Sequence, residues 1–228
     1  MSKHWERDLD NLQRHLMALA ASVEEAIFKG TRALRERDVA LAREVVASDS
    51  AIDQEENYVE NECLKMLALH QPVAIDLRRV IAALKINTDL ERMADLAVNI
   101  AERALSLAEL PRIAVPDNLQ RMTDLTTSMV RQSLDAFVML DAEQARRVIR
   151  LDDEVDRYNR EIIAELIGHM KQAAELVPAF MSFFSGVRQL ERIADHATNI
   201  AEDVVYLIEG EIIRHHPMTA NEPARRKS

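Results

Sequence analysis

The chain has 228 residues, with 29 Lys and Arg against 39 Asp and Glu and a formal net charge of −10. Its 4 Gly and 6 Pro are about 4% of the residues, against roughly 12% in average proteins, and aromatics are 4%. These counts exclude an all-β sandwich or barrel, which needs turn and strand formers, and a doubly wound nucleotide fold, which needs glycine-rich turns. At 48% hydrophobic the chain buries a sizeable core, and an all-α protein of long helices remains.

One cysteine, Cys63, excludes an intramolecular disulfide framework and fits the reducing cytoplasm. The opening residues Met1 to Asp8 hold no apolar h-region, so no secretory signal is expected. No run of 18 apolar residues occurs, so no membrane span is expected. The acidic balance argues against nucleic acid as the main partner, because a phosphate backbone needs a basic surface.

Prolines punctuate the helices. Apolar residues three and four apart (Leu12, Leu16, Leu19, Val23, Ala26, Ile27) predict a first helix from Leu9 to about Arg35. A second runs from about Val39 to Leu69, where His70-Gln71-Pro72 breaks it. The third spans about Ala74 to Leu107, and Pro111 to Pro116 forms the central linker. A fourth runs from about Asp117 to Leu140. A fifth, with Asp141 as N-cap, reaches about Gln172. A sixth begins near Pro178, which suits a first helical turn, and ends about Ile213. The tail, 214–228, reads as disordered.

The chain repeats itself. Leu90 to Leu105 and Leu190 to Val205, offset by 100 residues, are identical at 10 of 16 positions. Asp49 to Asp53 aligns with Asp152 to Asp156 at an offset of 103, and Leu12-Gln13-Arg14 with Leu119-Gln120-Arg121 at 107. The reading is a duplicated three-helix unit: residues 1–110 and 117–213, two elongated bundles side by side.

The repeated segment carries the chemistry. On a helical wheel Glu91, Asp95, Asn99 and Glu102 share one stripe, while Met93, Ala97, Ile100 and Ala104 share the opposite side. Glu191, Asp195, Asn199 and Glu202 repeat the stripe. Asp49, Asp53, Glu56 and Glu60 line the second helix; on the fifth only Asp152 and Asp156 match, with Asn159 and Ile163 in the later places. Like charges at i, i+4 destabilise a helix by about 0.2–0.5 kcal/mol per pair, and a bound cation reverses that sign. All-oxygen donors suit hard cations such as Mg²⁺, Ca²⁺, Mn²⁺ or oxidised iron. The plainer reading is a solvated acidic face with Arg92, Arg103 and Arg192 as partners, and both stay open here. His196, inside the second stripe segment, reads as a surface histidine, and Cys63 as a core residue. No Glu-x-x-His occurs, which counts against a carboxylate-bridged di-iron enzyme of the bundle class. No P-loop or nucleophile elbow is present either.

The duplicated Leu-Glu-Arg-(Met/Ile)-Ala-Asp…Asn-Ile-Ala-Glu, the segment Pro72 to Arg78, and Gly210-Glu211 after the last helix together resemble the PhoU family over about residues 5–213. The resemblance implies a fold of two similar three-helix bundles and a regulator rather than an enzyme. Its partners would be the ATPase subunit of a phosphate ABC transporter and a sensor histidine kinase. It would hold the phosphate-starvation genes off and restrain uptake. It would form a homodimer and reach the membrane only through its partners. A relative serving another transporter is the alternative within the same fold. Some members bind metal clusters through Asp/Glu-x-x-x-Asp; the matching residues here are Asp49, Asp53, Glu91 and Asp95, and Asp152, Asp156, Glu191 and Asp195, with Asn99 and Asn199 continuing the stripes. The ions implied are Mg, Mn, Fe or Zn. The second repeat lacks a match to Glu60, and its Val177 to Phe180 lacks the Asp and Arg that open the third helix.

Overall fold

A computed structural model describes residues 3–210. Within them the chain forms six long helices: α1 (Lys3–Glu36), α2 (Val39–His70), α3 (Ala74–Leu107), α4 (Leu119–Met139), α5 (Ala142–Gln172) and α6 (Val177–Glu209). A single 3-10 turn, Ala174–Leu176, precedes α6. No strand occurs among the described residues. The expected disordered tail, 214–228, and the expected last turn of the sixth helix lie outside them.

Local chemistry sets the helix ends. Asp38 Oδ1 accepts from the Leu41 amide at 3.0 Å and Asp141 Oδ1 from the Gln144 amide at 2.9 Å, so each repeat caps its second helix the same way. Pro178 stands in the first turn of α6. Gly210, at φ 76°, ends α6 and returns its amide to the Tyr206 carbonyl. Arg37, between α1 and α2, donates to the carbonyls of Leu107 and Leu110, the second at 2.7 Å, and so closes the end of α3. The first helix starts two turns earlier than its aliphatic spacing predicts. Trp5 is buried and its ring meets His70 edge-on at 5.4 Å, which pins those turns to the end of α2.

In each repeat the three helices pack on one another, and α3 and α6 pack together along the centre. Helix α1 also meets α4, whereas α2 and α5 touch only elements of their own repeat. One hydrophobic core runs through both repeats. Polar contacts also cross the central seam. Lys85 Nζ donates to Asp203 at 2.9 Å, and the buried Asp203 carboxylate thereby gains a counter-charge. His196 Nδ1 lies 2.8 Å from Asp89 Oδ1, so His196 is a half-buried partner across the repeats rather than a surface histidine.

The alignment of the first helices shifts by one turn from the sequence reading. Uninterrupted helices run into Asp38 and into Asp141, which fixes the offset at 103 rather than 107. Buried residues then pair throughout: Leu16 with Leu119, Val23 with Thr126, Ile27 with Val130, Leu34 with Phe137. Four residues are close to one helical turn, so a slip of four keeps the same face.

Gly30 marks the closest approach of α1 to α3: a Cβ there would stand 3.0 Å from the Ala97 carbonyl oxygen, a backbone atom that cannot turn away. Gly30→Val should therefore lower stability by about 1–3 kcal/mol through overpacking, read as a lower midpoint in chemical denaturation. An unchanged midpoint would show that the two helices separate freely at this point.

Candidate functional site

The acid stripes follow from the helical period. Met93, Ala97, Ile100 and Ala104 are fully buried, so the opposite side of α3, with Glu91 and Asp95, turns away from the core. Antiparallel packing of α2 on α3 then lays the α2 acids along the same seam. Asp49, Glu56 and Glu91 are half-buried there, and Asp53 is exposed. In the second repeat Asp152, Asp156 and Glu191 are half-buried between α5 and α6, with Asp195 at the mouth of the seam.

The carboxylates feel one another across the helices. Asp49 is raised above the usual carboxylate range by burial and then by Asp53 and Asp95. Glu91 is raised by burial and Asp95, against the pull of Arg92, with Asp53 and Asp49 adding to the rise. Glu56 is raised by burial and then by Glu60, Glu91 and Asp53. The second seam behaves alike. Asp152 is pushed up to about 6 by burial, Asp195 and Asp156. Glu191 is raised by burial and Asp195, and Asp195 by burial and Asp156; protein crowds the Asp195 carboxyl although the residue as a whole is exposed. The structure thus brings together all eight carboxylates of the sequence reading, four to a seam. Asn99 and Asn199 are half-buried and one turn further along.

The cations beside these acids differ from the expected set. Arg92 stands 3.4 Å from Glu91 and 3.7 Å from Asp95. Arg188, not Arg192, pairs with Glu191, at 3.1 Å, while Arg192 reaches Gln189. The Arg103 Nε is buried without a hydrogen-bond partner. Sequence reasoning also missed Asn87. It is fully buried, and its amide donates to the Glu56 carbonyl at 3.0 Å and to Glu56 Oε1 at 2.9 Å, tying α3 to α2 beside the first stripe. Asn87 interrupts the apolar spacing of Ala83, Leu90 and Ala94, and that is the signal that could have found it. In the second repeat Asn159, buried, takes the place of Glu56, and Val187 that of Asn87. Cys63 is fully buried, and burial with Glu60 and Glu62 pushes its thiol up to about 12, so it is inert.

The donors along the two seams are oxygens, carboxylates and amides with the Thr198 hydroxyl beside Asp152, the chemistry of a hard cation. Among the described residues, no group of three or more His, Cys, Asp or Glu side chains is gathered to hold an ion. The carboxylates stand in a row and do not converge on a point. A row of this kind can attract cations or a basic protein surface, and within it Asp152 changes charge near pH 6.

Asp152 binds its proton more tightly in the fold than in the unfolded chain, so its ionisation lowers stability as pH rises from about 4 to about 6. Asp152→Asn should stabilise the protein at pH 7.5 by about 1 kcal/mol, reduced from the full shift because solvent still reaches the group. At pH 3.5 the gain should vanish. Thermal melts at the two pH values test this; an equal effect at both would mean that the carboxyl is not repelled in the seam.

Comparison with known proteins follows the same duplication. The family profile of the PhoU domain matches residues 16–104 and 119–204. A phosphate-specific transport system accessory protein PhoU homolog of Aquifex aeolicus is 40% identical over 209 residues, 92% of this chain and 95% of that protein. The homolog of Pseudomonas putida is 37% identical over 218 residues, 94% of this chain and 84% of that one. The crystal structure of PhoU from Pseudomonas aeruginosa superposes with a TM-score of 0.87 at 35% identity, covering 91% of this chain and all 100% of that chain. The phosphate transport system regulatory protein PhoU from Streptococcus pneumoniae gives 0.85 at 34% identity, covering 91% and 98%. With both repeats matched, the same fold and identities above one third along nearly the whole chain, the chain belongs to the PhoU family.

Proposed function

We propose that this protein is an accessory regulator of phosphate transport, not an enzyme, and that it represses the phosphate-starvation response. In this reading it couples the ATPase subunit of a phosphate ABC transporter to a sensor histidine kinase and restrains phosphate uptake when phosphate is plentiful. The observation that carries the proposal is the pair of carboxylate seams, repeated in both halves and facing away from the core, in a chain whose relatives are phosphate-specific transport accessory proteins. No described helix is long and apolar enough to cross a membrane, which suits attachment to the transporter through protein contacts.

The seams are the docking faces. Self-repelling carboxylates retained on both halves are stabilised by whatever positive charge arrives, whether the basic surface of a partner or a hard metal ion. Asp49, Asp53, Glu91 and Asp95, and their counterparts Asp152, Asp156, Glu191 and Asp195, form rows and not a closed chelate, so divalent or ferric ions such as Mg, Mn, Fe or Zn would associate with them as counter-charge along the row. An ion bound there would supply counter-charge to the row. Docking of both seams would pin kinase and transporter in the repressive arrangement, and self-association as a homodimer would present four seams.

Asp95→Asn combined with Asp195→Asn tests the reading. Helical content should stay intact. Expression from a phosphate-starvation promoter in phosphate-replete cells should rise at least fivefold, or the metal content of the purified protein should fall. A folded double variant that represses fully and carries as much metal as the parent would overturn it. A fall in melting temperature with repression intact would assign the ions to stability alone.

A further inference from the structure

The duplication supplies an internal comparison for a second surface, the seam between α1 and α2 on the side away from the carboxylate row. A trough of about 400 Å³ runs there over Ala18, Ser22 and Ala26 of α1 and Ser48, Ala51 and Ile52 of α2. Ala18, Ser22 and Ala51 are exposed along it. Both hydroxyls are turned back on their own helices, Ser22 to the Ala18 carbonyl at 3.2 Å and Ser48 to the Val45 carbonyl at 2.7 Å. The floor is therefore nearly apolar, with buried Val45 and Ile52 beneath.

At the established offset of 103, the second repeat fills the same seam. Leu125 stands for Ser22, Met129 for Ala26, Leu151 for Ser48 and Tyr158 for Glu55. Met129 is fully buried, and Leu125, Leu151 and Tyr158 pack half-buried against the core. One fold thus carries a closed seam in one half and an open trough in the other. The rims differ in charge too. Glu25, Glu44 and Glu55 rim the trough, with Lys29 held between Glu25 at 2.7 Å and Glu44 at 2.5 Å and Glu55 against His15 at 2.6 Å, so three acids share one lysine and one histidine. Where the three glutamates stand, the second repeat has Ser128, Arg147 and Tyr158.

We infer that the α1–α2 trough is a docking groove for a basic amphipathic helix of a partner protein, which completes a four-helix bundle on the first repeat only. Small residues spaced about one turn apart on both walls let a helix approach closely and insert its large aliphatic side chains. Ala18 to Lys29 spans about 17 Å, three helical turns, enough for three or four such side chains on one face. Acidic rims select lysine and arginine along the flanks of the incoming helix.

The proposal takes its partners from the functional reading above and adds the place where one of them docks. The purified transporter ATPase subunit and the purified cytoplasmic portion of the sensor kinase, from the same organism, are each titrated against the full-length chain. They are then titrated against Ser22→Leu combined with Ser48→Leu, which installs the leucines of the second repeat, and separately against Glu44→Arg, which reverses one rim charge and removes its ion pair with Lys29. Circular dichroism and melting confirm the fold of each variant. For one of the two partners, Kd should rise at least tenfold on filling the trough. It should rise about threefold with Glu44→Arg, an effect that shrinks in high salt. An unchanged Kd for both partners in the folded double variant overturns the groove and leaves the regulatory reading standing. Should the double variant lose helicity, an unchanged Kd with Glu44→Arg overturns it. Failure of the parent chain to bind either partner overturns the regulatory reading and the groove together.

Discussion

The contact of α3 with α6 is the constraint on which the rest of the molecule depends. Each of these helices is the third of its own repeat and packs against both of its predecessors, so each is covered on several sides. Such a helix must be apolar nearly all round, and small residues allow the close approaches: Ala94, Ala97 and Ala101 on α3, and Ala194, Ala197 and Ala201 on α6, are all buried. Apart from a few paired polar residues such as Lys85, Asp89, His196 and Asp203, the polar residues keep to a stripe away from the core, and that stripe carries the acids. The location of the carboxylate rows is thus a consequence of the central packing.

The seam between the repeats also explains how an acidic chain tolerates charge near its middle. Asp203 is almost fully buried yet meets the half-exposed Lys85, and Asp89 meets His196, so the two inward acids have partners across the repeats. The acids of the outer rows have no such neighbours in sufficient number. Arg92 and Arg188 offset part of the repulsion, and the remaining strain appears as carboxyls that hold their protons too tightly. Stability is sacrificed there for a surface that rewards an incoming positive charge, which is how functional sites commonly depart from the pattern of the fold around them.

Duplication gives the fold twice, and divergence between the copies separates what the architecture requires from what it permits. Both repeats keep the aspartate cap, the apolar first helix and the Glu-x-x-x-Asp stripe. They differ where the architecture is indifferent. Asn87 with Glu56 becomes Val187 with Asn159, and the trough of Ala and Ser residues between α1 and α2 becomes a packed row of Leu, Met and Tyr between α4 and α5. The first of these exchanges lies in a buried helix contact and the second along an outer seam, and neither disturbs the central packing of α3 on α6.

Six helices, their order and the two stripes were legible in the chain itself, because a helix writes its period of 3.6 into the spacing of its apolar residues and because prolines and capping aspartates mark its ends. The duplication was legible as well, although the first helices were set one turn out of step, since a slip of four residues leaves the buried face unchanged. Periodicity says which side of a helix is apolar and nothing about which neighbour covers it. Hence Trp5 anchoring α1, Asn87 reaching across to Glu56, and His196 pairing with Asp89 rather than facing solvent emerged only from the packing of helices distant in sequence. The chain by itself determined that acids share a face on α2, α3, α5 and α6. Only the tertiary structure decided that the faces of α2 and α3, and of α5 and α6, stand opposite each other, because the mutual repulsion of carboxylates depends on distance across a seam, and no spacing along one helix contains that distance.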